Sequence, residues 1–154
     1  MKKRLNIFCV LMLLLMAIMV VMTFVTGADA FQEGWNKGRD VLPANTWLAL
    51  LEFFVEMIAI VAALASFASF VRFILNVNHN KVFVWENVPL LRLTGVGLLV
   101  TALIVSADEY FTGASLMEVY DNYFNILIFC VFNLIVAEAF AIGLKLKEEQ
   151  DLTI

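Results

Sequence analysis

Glu52 and Glu56 stand four residues apart in a run from Trp47 to Leu75 that is otherwise almost wholly apolar. On a helix that spacing puts both carboxylates on one face. An ionisable group inside a bilayer is costly, so such a pair is a candidate proton or cation site, with Glu56 the deeper member. The competing reading is a pair of interfacial carboxylates, solvated or bonded to a neighbouring helix. At about 100° per residue, Ala59, Ala63, Ser66 and Phe70 continue the same face. Small residues let a second helix approach closely, so this stripe is mainly a packing seam with Glu56 at its outer end.

A second set of polar residues lies near the C-terminus. Asn122, Asn125 and Asn133 share an arc of about 80° on a helix, and Glu138 projects about 140° from Asn133. The asparagines suit hydrogen bonds between helices, worth about 0.6–2 kcal/mol each. Glu138 lies roughly 8 Å inside the inner boundary, where Arg72 or Arg92 could pair with it, and a structural ion pair is the favoured account. Glu56 and Glu138 cannot share a metal unless a helix breaks. They are about 17 Å apart across a core of about 30 Å, while ligand oxygens sit about 2.0–2.6 Å from the ion.

His79, the single histidine, has no second ligand nearby and reads as a solvated loop residue. Cys9 and Cys130 lie in apolar runs without metal or redox spacing, so they read as small apolar filler and no disulfide is expected. No nucleophile–base constellation is visible. The chain is therefore expected to have no catalytic, cofactor-binding or metal-ligating residues and no enzymatic activity.

The elements that carry these residues follow from hydropathy. Of 154 residues, 63% are hydrophobic and 16% charged, where a soluble domain has about 45–50% and about 25%. Mean hydropathy is +0.93. Four apolar segments are expected to be transmembrane helices, over about 5–26, 47–75, 89–107 and 120–144. The fold class is all-α, an integral membrane antiparallel bundle forming one domain over 1–154. The first segment follows Met1-Lys2-Lys3-Arg4 and precedes Ala28-Asp29-Ala30, a small-x-small pattern that also fits a signal peptide. At about 20 residues it exceeds the usual 7–15 of that class, so an uncleaved spanning helix is expected.

Between the segments, Gly27 to Thr46 reads as a polar connection. Gly34 and Gly38 suit turns there, Pro43 suits helix entry, and Trp35 and Trp47 suit a membrane interface. Asn76 to Val88 is the next connection and Asp108 to Val119 an acidic loop. Lys145 to Ile154 is a polar tail, either a frayed helix end or a short docking peptide with Leu152 and Ile154 as apolar anchors. On the third helix Gly95, Ala102 and Ser106 form another small-residue stripe, expected to mate with a neighbouring helix.

Basic residues on short loops set orientation. With the N-terminus inside, the cytoplasmic side holds Lys2, Lys3, Arg4, Arg72, Lys81, Arg92, Lys145 and Lys147, and only Lys37 and Arg39 lie outside. The outer loops carry Asp29, Glu33, Asp40, Asp108, Glu109 and Glu118. Both termini are expected in the cytoplasm.

Two stretches carry a family resemblance. One is Phe83-Val84-Trp85-Glu86-Asn87 with Leu91-Arg92 and Gly95, and the other is Leu146-Lys147-Glu148-Glu149-Gln150-Asp151-Leu152-Thr153-Ile154. With four spans, the chain resembles the bacterial family of uncharacterised membrane proteins known as domain of unknown function 2975. Members are often encoded beside a small helix-turn-helix regulator. The resemblance therefore implies a membrane component of a regulatory pair in the bacterial cytoplasmic (inner) membrane, and it brings no catalytic residues with it.

Two functions compete. The first is a non-enzymatic membrane protein whose inner loop and tail dock a cytosolic DNA-binding regulator through Phe83, Glu86, Asn87, Arg92, Glu149, Asp151, Leu152 and Ile154, with no direct nucleic-acid contact. The second is a small proton- or cation-coupled transporter, or a subunit of a membrane complex, using Glu56. Matching Gly/Pro-broken helices of the kind common in transporters are absent, which counts against the second. Four helices bury little surface, so association with further copies or subunits stays open.

Overall fold

A computed structural model describes residues 2–40 and 46–152, without the side chains of 2, 29, 30, 33, 37–40 and 46. Pro43 and Ile154 therefore lie outside the described residues, as do the side chains of Lys2, Asp29, Glu33, Lys37, Gly38, Arg39 and Asp40. The described chain is helical apart from two short connections: α1 Lys2–Asp40, α2 Thr46–Asn78, α3 Asn87–Phe111 and α4 Leu116–Asp151. Each contains a segment long and apolar enough to cross a membrane, the shortest being Asn87–Phe111 with 25 residues. At about 1.5 Å per residue that one reaches about 38 Å, against a hydrocarbon core of about 30 Å.

All four helices run past the expected spans, α2 to Asn78 and α3 from Asn87 to Phe111 among them, and three of the boundaries have a clear local reason. Helix α1 continues to Asp40, through most of the stretch expected to be a polar connection. Gly34 and Gly38 suit turns, yet a glycine inside a helix costs only about 1 kcal/mol relative to alanine. A Cβ at Gly34 would meet nothing within 4 Å, so packing does not require glycine there. Helix α4 begins at Leu116 because Ser115 and Glu118 form a reciprocal capping box. Ser115 N donates to Glu118 Oε2 at 2.8 Å, and Glu118 N donates to Ser115 Oγ at 3.3 Å, satisfying two otherwise orphaned amides. The same helix runs on to Asp151 because Leu146-Lys147-Glu148-Glu149-Gln150 are all good helix formers.

By compactness the chain divides into two units, Met1–Phe53 and Phe54–Ile154. In the first, Thr23 and Thr26 return their hydroxyls to the carbonyls of Met19 and Met22, hiding polar groups inside an apolar helix. Trp35 stacks on Phe31 with ring centroids 6.3 Å apart.

The second unit is built around α3, which uses two glycines on opposite faces. A Cβ at Gly97 would collide with Ser66 Oγ and lie 3.0 Å from Ala62 O on α2. A Cβ at Gly95 would lie 2.9 Å from Leu134 and 3.1 Å from Cys130 O on α4. Only glycine allows both approaches, the close packing on which helix association in lipid depends. Hydroxyls reinforce the α2 side. Thr101 Oγ1 donates to Gly97 O at 2.9 Å and Ala59 O at 3.2 Å, and Ser66 Oγ donates to Ala62 O at 2.7 Å.

Ala59 and Ser66 are buried in this seam and Ala102 is buried on α3. The α2–α3 seam thus includes Ala59 and Ser66 from the stripe that periodicity selects on α2, together with Gly97, which periodicity does not single out. A line of aromatic rings joins α2 to α4: Phe70 packs edge-on against Phe129, and Phe73 against Phe140, with centroids 6.5 and 6.0 Å apart. Such pairs contribute about 0.5–1.5 kcal/mol each beyond their area.

Candidate functional site

At one end of the second unit the connection between α2 and α3 meets the last turns of α4. Helix α2 stops in a Schellman motif: Lys81 N donates to Asn76 O at 2.9 Å and Asn80 N to Val77 O at 3.0 Å. Asn80 takes φ 64°, a left-handed conformation that asparagine tolerates better than most residues. His79 is exposed, and its ring Nδ1 donates to Leu75 O at 2.7 Å, so the histidine belongs to the helix end.

Asn87 organises the connection. It is fully buried and all its side-chain polar atoms are engaged. Its Nδ2 donates to Lys81 O and Val82 O, both at 2.7 Å, and its Oδ1 accepts from Asn76 Nδ2 at 2.9 Å. Asn87 N also donates to Val84 O at 3.1 Å, which starts α3 two residues before Pro89. Pro89 then sits in the first turn, where its missing N–H leaves no intrahelical bond unmade.

From this pinned base the loop reaches across to α4. Phe83 stacks on Phe140, centroids 5.4 Å apart and planes 24° off parallel. The Trp85 indole N–H donates to Glu148 Oε1 at 2.6 Å, a short bond to a carboxylate. One turn into α3, Arg92 Nε donates to Glu138 Oε1 at 2.8 Å and Nη2 to Glu138 Oε2 at 3.0 Å. Of the two arginines that sequence offered to Glu138, the partner is Arg92.

The candidate residues distribute unevenly. Phe83, Glu86, Glu149, Asp151 and Leu152 are exposed, Leu152 at 87%. Asn87 is not, because its amide is sealed inside the loop it holds together. Arg92 is exposed at its edge, but both of its bonds go to Glu138. Asn133 is buried, and its Nδ2 donates to Phe129 O at 2.9 Å in its own helix, not across to another.

Asn122 and Asn125 are exposed, and Asn122 reaches Glu109 Oε2 at 3.4 Å beside a 2.6 Å bond from Tyr123 Oη to Glu109 Oε1. Glu52 and Glu56 are both exposed. Among the described residues no three His, Cys, Asp or Glu side chains form a metal-binding group.

Sequence reasoning passed over three parts of this site. Trp85 and Glu148 lie within the two resembling stretches, but no local pattern links them. Phe140 looked like one more apolar residue. The Asn76–Asn87 bond had a detectable signal, an asparagine at each edge of the connection.

The helices and this junction define a multi-pass helical membrane protein with one elaborated polar end. A family model described as "Protein of unknown function (DUF2975)" matches residues 35–154, and the chain belongs to that family. The match includes both the loop and the α4 end that meet at Trp85 and Glu148. No curated protein and no solved structure matches the chain.

Proposed function

We propose that this is a small non-enzymatic protein of the bacterial cytoplasmic membrane, an antiparallel bundle with both termini inside. Its α2–α3 loop and C-terminal end form one docking face for a cytosolic partner, for which a small DNA-binding regulator is the candidate. One observation supports this above others. The two stretches that resemble the family most sharply, far apart in sequence, come together through Trp85 and Glu148, beside the stacking of Phe83 on Phe140. Around that junction the exposed side chains of Phe83, Glu86, Glu149, Asp151 and Leu152 offer a mixed apolar and acidic surface. The excess of basic residues on the same side supports the inward orientation.

The test is affinity capture from membranes with the intact chain and with a chain ending at Leu144. A cytosolic protein recovered with the first and missing from the second is expected. Identical recoveries would remove the tail from the docking face.

A second reading keeps Glu56 as a proton or cation site. It is favoured by one fact: among the described residues Glu56 makes no ion pair or hydrogen bond, although it lies within a candidate span. Glu56→Gln would then abolish an ion flux in liposomes while leaving folded protein; a flux unchanged by the substitution counts against it.

A further inference from the structure

The contact between Trp85 and Glu148 differs in kind from the rest of the junction. Its loop side is fixed, because Asn87 holds Lys81 O and Val82 O from inside and Val84 O through its backbone. Its helix side is not. Leu144 is the last buried residue of α4, and every residue from Lys145 to Asp151 is exposed. The final turn contains no basic residue. Glu148, Glu149 and Asp151 instead place three carboxylates at the negative end of the helix dipole, an arrangement that disfavours those turns. Segments with few buried contacts and exposed backbone bonds open at low free energy. The end of α4 carries no buried side chain beyond Leu144, and the indole of Trp85 fastens it across to the loop.

We propose that Trp85 and Glu148 form a latch: closed, it holds the last turns of α4 against the α2–α3 loop, and a molecule that takes hold of residues 145–152 opens it. The moving part is the helix end, with Leu144 as the last anchored position, while the loop keeps its shape. Opening frees the indole. Any ligand of the tail that uses Glu148 competes with Trp85, so tail binding and latch closure oppose one another. That opposition is reciprocal by linkage. The latch goes beyond the proposed docking role and does not depend on it, because any tail-binding molecule should reveal it.

The probe is a Fab raised against a free peptide of residues 144–152. It is selected for measurable binding to the intact protein in nanodiscs and for loss of binding to the peptide carrying Glu148→Ala. Its affinity is compared for the intact protein and for Trp85→Phe, which keeps an apolar ring and removes only the donor. Trp85 lies outside the epitope, so a latch predicts that Trp85→Phe binds the Fab about fivefold more tightly, at the low end of typical coupling factors.

In a Trp35→Phe, Trp47→Phe background, the Fab should also shift the emission of the remaining Trp85 to longer wavelength. Affinities equal within twofold would overturn the latch, whatever the emission does. Tighter Fab binding by Trp85→Phe without any partner recovered from cells would keep the latch and sink the docking role alone.

Discussion

Arg92 grips both carboxylate oxygens of Glu138, at 2.8 and 3.0 Å, while 51% and 58% of the two side chains remain uncovered by the chain. The pair joins α3 to α4 one turn from the loop, and each charge satisfies the other where a lone charge in a span would be costly. Removing one partner should therefore hurt more than reversing both. Arg92→Glu and Glu138→Arg are each expected to lower the temperature at which the detergent-solubilised protein loses its monodisperse peak. The double exchange is expected to restore most of that loss. A double exchange as damaged as the singles would mean that the pair is not what holds this position.

Asn87 makes a sharper case, because it is buried and its three partners are all polar groups of the connection. Stranding a buried acceptor costs about 1–3 kcal/mol, and Asn87→Ala strands two carbonyls, so a loss of at least about 2 kcal/mol is expected in chemical unfolding. Asn87→Asp is nearly the same shape but turns acceptor oxygen toward Lys81 O and Val82 O. It should be at least as damaging as alanine. A tolerated aspartate would show that the loop is not held by this amide.

The sequence showed the spans and the close-packed faces more readily than their ends. Apolar runs of this length have few alternatives, and Ala59, Ser66 and Ala102 were legible as packing residues because small side chains recur at helical spacing. Ser115 and Glu118 were equally legible as a capping box and would have moved the start of α4 to Leu116. Helix α1 outruns its apolar segment because Gly34 and Gly38, which suit turns, do not break a helix by themselves, and no proline precedes Pro43. The Trp85–Glu148 contact had no local signal: its residues are 63 positions apart and meet only once three helices have packed.

Gly97 reverses a general rule. Glycine to alanine inside a helix is worth about 1 kcal/mol of added stability. Here the new methyl group would strike Ser66 Oγ, so Gly97→Ala should destabilise by about 1–3 kcal/mol, the usual cost of overpacking. Ser66→Ala removes the struck atom, and the double substitution should cost less than the sum of the singles. Additive losses would mean that Gly97 and Ser66 do not oppose each other.

At the other end of α3 the contact is polar. Tyr123 Oη donates to Glu109 Oε1 at 2.6 Å, close to the four-residue turn Thr112–Ser115 that joins α3 to α4. Tyr123→Phe removes the bond without changing the ring. A loss of about 1 kcal/mol is expected, below the 1.5–3 typical for a charged partner because part of the site is open. Glu109→Gln keeps an acceptor and should lose less. Equal losses would place the effect in the charge of Glu109 instead of in the bond.

The proposed docking role requires the α2–α3 loop and the end of α4 to act as one face toward one partner. A photoreactive phenylalanine analogue placed in cells at position 83, and separately at position 152, tests it most directly. Both positions are predicted to label the same cytosolic protein, and a chain ending at Leu144 with the label at position 83 should lose that product. Different proteins labelled from the two positions, or labelling at 83 that survives the truncation unchanged, would contradict the account.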